Sequence, residues 1–302
     1  CSQMLMQAMD YLEGRSWRGQ RSSASQPLSW PRSGVRFDGV DLPEELIPAS
    51  SLQFAGLRSV YRRDGFGAEL VAVMQPDPVT TIVVPDAEDA ADTPHRRQRP
   101  QRRDYSEMPS PALTVLLRFP ATDLAQLMAT REVALSVHDP YVDSVAQMHG
   151  QQVPLAANFT AGYGLWLARS GFATQSLRTL FGRDHGIDRP HLYMMQPYDP
   201  DRRILLMLHG LASSPEAWVN VANEVLGDET LRQNFQIWQV YYPTNMPIAL
   251  NHAQIRRTVD DALTHFDPDH RARASQDMVV VGHSMGGVIA RLMVSSSGDA
   301  LW

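Results

Sequence analysis

The chain has 302 residues, of which 43% are hydrophobic and 20% charged, a composition typical of folded globular proteins. Its length fits two domains more readily than one. The formal net charge is −6, and general nucleic-acid binders need a basic surface, so no nucleic-acid partner is expected. All 27 basic residues are arginine, which excludes chemistry that depends on a lysine base or a Schiff base.

The first residues, Cys1-Ser2-Gln3, resemble the mature start of a bacterial lipoprotein, in which a lipid is attached to the leading cysteine. Residues 16–34 are rich in Ser, Arg, Gln and Pro, and we interpret residues 1–33 as a flexible tether. The resemblance implies lipidation of Cys1 and a membrane anchor in the bacterial cell envelope, with the outer membrane favoured. If the chain merely happens to begin at Cys1, the cytoplasm is the alternative location.

Residues 34–157 form a predicted β-rich N-terminal domain. Short apolar or β-branched runs, each bounded by Pro, Gly or Asp, predict strands at 70–74, 80–84, 113–117 and 133–137. One short helix is predicted over 124–128. Residues 86–111 contain four prolines and little apolar sequence, so a long surface loop is expected there. Its acidic first half and arginine-rich second half either neutralise each other in solvent or present an anion-binding arginine cluster.

From residue 158 the pattern changes to alternating strands and helices. Two short helices broken near Gly171 are expected over 165–180. The continuous apolar run at 204–208 is typical of a strand buried on both faces, and further strands are predicted at 235–242 and 278–281. Apolar residues at helical spacing follow each of the three. The predicted fold class is α/β, with a parallel sheet and flanking helices over residues 158–302.

The sequence Gly282-His283-Ser284-Met285-Gly286-Gly287 follows the last of these strands and precedes a predicted helix. It matches the pattern G-x-S-x-G in the strand–turn–helix context that this motif requires. Such a turn forces the serine into a strained backbone conformation, and the close passage of strand and helix requires glycine at the flanking positions. Ser284 is therefore the candidate nucleophile, and the helix N-terminus beside it favours developing negative charge.

A second motif, His209-Gly210-Leu211, follows the apolar run at 204–208. In this position we expect a loop whose Leu211 N–H joins the Met285 N–H in an oxyanion hole. His209 and His283 are interpreted as structural residues of the motif rather than as proton shuttles.

Together these motifs resemble the α/β-hydrolase family, in its bacterial lipase and esterase branch, over roughly the last third of the chain. The resemblance implies hydrolysis of carboxylic esters through an acyl-enzyme on Ser284, with an ester or lipid-like substrate. Amidase, thioesterase or acyltransferase activity on the same fold remains open, as does a catalytically silent binding or scaffold protein of the envelope.

The sequence departs from the family pattern in one respect. Family order places an acid and then a histidine after the nucleophile, but no histidine follows Ser284 and the only acid there is Asp299. We therefore expect the triad acid and histidine to be absent from this chain, as in a C-terminally truncated hydrolase; a naturally short pseudo-hydrolase is the alternative. No cofactor or metal is expected, since Asp260-Asp261 and the turn at 267–270 are interpreted as solvated helix face and turn.

Overall fold

The computed structural model describes residues 45–74, 80–84, 97–101, 103–118, 123–129, 134–148, 150–172 and 189–296. Cys1, the predicted tether and the second helix expected beyond Gly171 lie outside these ranges. The chain divides into two compact units, the first comprising residues 1–75, 108–172 and 216–236, and the second residues 76–107, 173–215 and 237–302. Each unit therefore contains segments from before and after residue 157, the predicted end of the β-rich domain.

The secondary structure follows the chain in this order. The strands are β1 Glu45–Pro48, β2 Arg62–Arg63, β3 Ala68–Val73, β4 Thr80–Val84, β5 Arg97–Gln101, β6 Tyr105–Glu107, β7 Ala112–Arg118, β8 Ala134–His138, β9 Val145–Met148, β10 Gln151–Pro154, β11 Ala157–Asn158, β12 His191–Met194, β13 Arg203–Leu208, β14 Phe235–Tyr241 and β15 Val279–Gly282. The α-helices are α1 Leu124–Ala129, α2 Ala161–Ser170, α3 Val219–Gly227, α4 Glu229–Asn234, α5 Ile248–Phe266, α6 Arg273–Gln276 and α7 Met285–Val294. None of these helices is both long and apolar enough to cross a membrane.

The first unit is built on an antiparallel sheet in the order β1-β3-β7-β8. Alternate residues of β3 face opposite sides, so Leu70 and Ala72 pack with Leu113 of β7, while Val71 packs with Leu165 of α2. Helix α2 ends at Ser170 and is capped by Gly171, whose φ of 65° is the left-handed conformation that terminates helices.

Helices α3 and α4 belong to this first unit and are fixed to it by buried polar groups. Asn223 is 1% exposed; its amide donates to the Ser59 carbonyl at 2.8 Å and accepts from the Thr160 hydroxyl at 2.8 Å. The Arg232 guanidinium lies 3.7 Å from the centre of the Phe159 ring and donates to the Leu226 carbonyl at 2.8 Å. A buried cation is thereby satisfied by a helix C-terminus and an aromatic face.

The second unit contains a sheet in the order β15-β13-β14-β12-β6. Strands β13 and β15 are parallel, with Leu208 opposite Gly282, whereas β12 is antiparallel to β14 and parallel to β6. Helix α5 covers one face, because its apolar residues at helical spacing, among them Ile255 and Val259, pack with the buried residues of β13 and β14.

The expectation of a loop over 86–111 is wrong within the described residues, which include two strands there. Strand β5 pairs antiparallel with β4, and β6 joins β12 in the larger sheet. Strand β6 has no alternating apolar pattern, but the Tyr105 ring packs against the core 6.1 Å from the Phe266 ring. Backbone pairing and the aromatic contacts of Tyr105 therefore produce a strand that hydrophobic periodicity does not reveal.

Candidate active site

Ser284 lies at the sharp turn between β15 and α7. Its backbone has φ 54° and ψ −119°, a conformation that residues with a Cβ rarely adopt. Such a conformation costs about 1–3 kcal/mol and persists only where the surrounding structure enforces it. Ser284 is an exposed residue at this turn.

Glycines enforce this turn because strand and helix pass too closely for a Cβ. A Cβ on Gly282 would overlap the Gly286 carbonyl oxygen, and one on Gly286 would overlap the Leu208 carbonyl oxygen. At Gly287 the nearest atom would be the Gly282 oxygen at 3.3 Å, which is tight but not prohibitive. The glycines at 282 and 286 are thus required by backbone-to-backbone packing.

The two sequence motifs meet at this turn. The His283 N–H donates to the Leu208 carbonyl at 3.0 Å, continuing the pairing of β15 with β13. A Cβ built on Gly210 would lie 3.1 Å from the Ser284 Cβ. The loop after β13 and the serine turn after β15 are therefore in direct contact.

Two backbone donors are available beside Ser284. The Met285 N–H begins helix α7, and the Leu211 N–H lies in the adjoining loop; among the described residues neither donates a hydrogen bond. The following helix amides are used, since Gly286 donates to the His283 carbonyl and Gly287 to the Ser284 carbonyl, both at 2.9 Å. An oxyanion at this turn would meet the unused Met285 N–H at the N-terminus of α7, while the Leu211 N–H lies in the loop that contacts the turn.

His209 is fully buried and both of its ring nitrogens are occupied. The Tyr242 N–H donates to Nε2 at 3.3 Å, which leaves the proton on Nδ1, and Nδ1–H donates to the Gly210 carbonyl at 3.0 Å. The ring stacks on the Tyr242 ring at 4.3 Å between centres. Burial lowers the pKa of His209 to about 4, a shift that the Gly210 hydrogen bond only partly offsets. His209 is therefore a neutral group that holds the loop, without a free nitrogen for proton transfer.

Two of the other described histidines are engaged by neighbouring side chains. His191 hydrogen-bonds Ser106 at 2.8 Å, and His138 lies between Ser136 and Asp143 at 3.1 and 3.0 Å. His283 is the exposed neighbour of Ser284. Within the described ranges, no histidine nitrogen hydrogen-bonds the Ser284 hydroxyl. The expected absence of a triad base and acid from the chain stays a prediction.

No group of three or more metal-binding side chains occurs in the part of the chain that the structure describes.

The turn that begins at Asp267 is held by its carboxylate, which accepts the Ser275 hydroxyl at 2.5 Å and the Ala272 N–H at 3.0 Å. Asp267 thus caps the turn that follows α5.

Sequence reasoning missed one group beside the loop that follows β13, the hydroxyl of Thr244. It accepts the Ala212 N–H at 3.1 Å, and Ala212 has a φ of 52°. The residue is 6% exposed and follows strand β14. No motif marks Thr244, because its contact depends on how the loops after β13 and β14 meet.

Comparison with known proteins gives one result. Residues 1–57 match a family described as "Putative DnaT-like ssDNA binding protein". No curated protein and no solved structure matches the chain. The match covers 57 of 302 residues, most of them outside the described ranges.

This match contradicts the expectation that the protein has no nucleic-acid partner. That expectation rested on the net charge of −6, which averages over the whole chain. Between Glu13 and Asp38 the sequence has five arginines and no acidic residue, namely Arg15, Arg18, Arg21, Arg32 and Arg36. A local basic segment is thus hidden in an acidic total.

Proposed function

We propose that the protein is a serine hydrolase that acts on carboxylic esters, with Ser284 as the nucleophile. The observation that carries this proposal is the strained backbone of Ser284, held between glycines that admit no Cβ. Strain of this kind in an exposed serine costs stability and brings no packing in return, which favours a chemical role.

In the proposed reaction the Ser284 oxygen attacks the ester carbonyl, and the negative charge that develops on the carbonyl oxygen is stabilised by the Leu211 and Met285 N–H groups. The alcohol leaves with a proton, and water then hydrolyses the acyl-enzyme. A general base must accept the serine proton in the first step. No described histidine hydrogen-bonds Ser284, so the proposal names no residue as the base or its acid, and the expectation that both are absent from this chain stays a prediction.

A covalent probe tests the nucleophile separately from the missing base. The protein is treated with a fluorophosphonate, with and without added imidazole as an external base, and the labelled residue is identified by mass spectrometry. We expect labelling of Ser284 that imidazole accelerates. Ser284→Ala should remove the label, whereas Ser295→Ala, an exposed serine at the other end of α7, should keep it.

Two outcomes would overturn the proposal. No label on Ser284 even with imidazole would favour the catalytically silent binding or scaffold protein. Labelling that persists unchanged in Ser284→Ala would place the reactive nucleophile elsewhere.

An amide and a thioester substrate with the same acyl group then separate esterase from amidase or thioesterase activity.

A second candidate function, carried by residues 1–57, is binding of single-stranded DNA. The family match supports it, as do the five arginines with the aromatic residues Trp17, Trp30 and Phe37 among or beside them. Arginines attract the phosphate backbone, and aromatic rings stack on unpaired bases.

Fluorescence anisotropy with a labelled oligothymidylate tests this candidate on the whole chain. We expect affinity that falls steeply with salt and that Trp17→Ala and Trp30→Ala weaken, while Trp302→Ala, outside the matched segment, leaves it unchanged. The absence of binding at low salt, or equal losses in all three variants, would contradict it. Cys1 lies outside the described residues, so its lipidation stays a prediction. The envelope location stays a prediction as well.

A further inference from the structure

The loop that carries Leu211 is held on both sides of that residue. The peptide plane between Gly210 and Leu211 contains the Leu211 N–H, and its carbonyl oxygen accepts the His209 Nδ1–H at 3.0 Å. The next plane, between Leu211 and Ala212, contains the Ala212 N–H, which donates to the Thr244 hydroxyl at 3.1 Å. His209 therefore fixes the plane that contains the Leu211 N–H, and Thr244 fixes the next plane, so the Leu211 backbone is restrained from both sides.

The Thr244 contact matters because the loop conformation is unfavourable by itself. Ala212 has a φ of 52°, in the left-handed region that residues with a Cβ seldom occupy. Leu211 is 58% exposed, so its side chain adds little packing to hold the loop. Without an external acceptor the Ala212 N–H could turn toward water and take the Leu211 backbone with it.

Thr244 is itself rigidly placed. The buried Asn251 of helix α5 donates to the Pro243 carbonyl at 2.8 Å and to the Met246 carbonyl at 3.5 Å, one on either side of Thr244. Tyr242 donates its hydroxyl to the His209 carbonyl, and burial raises the pKa of Tyr242, so the phenol stays protonated. The segment after β14 thus forms a fixed support for the loop after β13.

We propose that Thr244 is a positioning residue that orients the Leu211 N–H toward the oxyanion formed at Ser284. This inference rests on the proposed hydrolase function. Because an oxyanion donor acts on the transition state, loss of Thr244 should slow reaction at Ser284 without weakening the initial binding of the reagent.

The test compares Thr244→Val, which keeps the shape but removes the acceptor, with Thr244→Ser, which restores it. Thr258→Val is the matched control: Thr258 is 3% exposed, and its hydroxyl donates to the Gln254 carbonyl within α5. For each variant the maximal rate and half-saturating concentration of fluorophosphonate labelling are measured with imidazole present.

Thr244→Val should lower the maximal labelling rate about tenfold or more, since loss of a complete oxyanion donor typically costs about 100- to 1000-fold. The half-saturating concentration should stay within a factor of about two. Thr244→Ser should recover most of the rate, and Thr258→Val should label like the parent protein. Equal rates in Thr244→Val and the parent, no recovery in Thr244→Ser, or an equal loss in Thr258→Val would each overturn the inference.

Hydrogen exchange of the Ala212 amide separates failure of this inference from failure of the proposed function. If the parent protein is not labelled at Ser284, the hydrolase proposal fails, and amide exchange alone then tests the support of the loop. Faster exchange in Thr244→Val than in Thr258→Val would retain Thr244 as the residue that fixes the loop. Unchanged exchange would remove that role as well.

Discussion

Ser284→Gly is expected to stabilise the folded protein although it removes the proposed nucleophile. At φ 54° and ψ −119° a serine bears about 1–3 kcal/mol of backbone strain that glycine does not. Glycine loses about 0.5–1 kcal/mol more conformational entropy on folding, and the exposed Ser284 side chain gives up little packing. The net gain is about 1 kcal/mol in the free energy of unfolding.

Urea unfolding of the parent protein, Ser284→Gly and Ser284→Ala measures this difference, because Ser284→Ala keeps the strain and should unfold near the parent midpoint. The matched control is Ser295→Gly, at the other end of α7. Ser295 has φ −103° and ψ 142°, an ordinary extended conformation, and its hydroxyl donates to the Arg291 carbonyl at 2.6 Å. Glycine there should destabilise the protein by about 0.5–1 kcal/mol. If Ser284→Gly were no more stable than Ser284→Ala, or if Ser295→Gly stabilised equally, the strain argument would be refuted.

Three further predictions concern the same loop and turn. Gly286→Ala should destabilise the protein by about 1–3 kcal/mol or more in urea unfolding and abolish labelling of Ser284, because its Cβ would overlap the Leu208 carbonyl oxygen; near-parental stability would contradict the close packing. Leu211→Pro should nearly abolish labelling while Leu211→Met labels normally, since only proline removes the N–H; equal labelling rates would exclude this donor. Burial lowers the pKa of His209 to about 4, whereas a histidine in the unfolded chain has a pKa of about 6.5. Between these two values the unfolded chain binds a proton that the folded protein does not. The free energy of unfolding is therefore highest above about pH 6.5 and falls as the pH drops toward 4. This loss in the free energy of unfolding is about 2–3 kcal/mol between about pH 7 and about pH 4.5, and urea unfolding of His209→Gln should not show it. An equal loss in parent and variant would contradict the prediction.

The turn at Ser284 could be anticipated from sequence because its causes are local. A run of apolar residues, a serine flanked by glycines and an amphipathic segment are adjacent in the chain, and the structure has strand β15, the turn and helix α7 at those positions. The run at 204–208 likewise corresponds to β13, Arg203–Leu208. The resemblance to the α/β-hydrolase family, which covers roughly the last third of the chain, stays a prediction.

Features that depend on distant contacts were not accessible in this way. Strand β6 exists because its backbone pairs with β12, about 85 residues later, and its sequence has no apolar alternation. Thr244 gains its role only where two loops meet, and no pattern in Thr244-Asn245-Met246 marks it. The prediction of no nucleic-acid partner was wrong for another reason. The net charge of all 302 residues conceals a segment with five arginines and no acidic residue.

The acyl-enzyme itself gives the most direct test of the central claim. The protein is mixed with an activated ester and imidazole, quenched in acid and digested with trypsin, which cleaves after Arg273 and Arg291 and releases both Ser275 and Ser284 in one peptide. Fragment ions separate the two serines, and Ser275 serves as the internal control because its hydroxyl is bound by Asp267. The account predicts an acyl group on Ser284, absent from Ser275 and from the Ser284→Ala protein. Acylation spread over both serines, or none on Ser284 at any time, would contradict it.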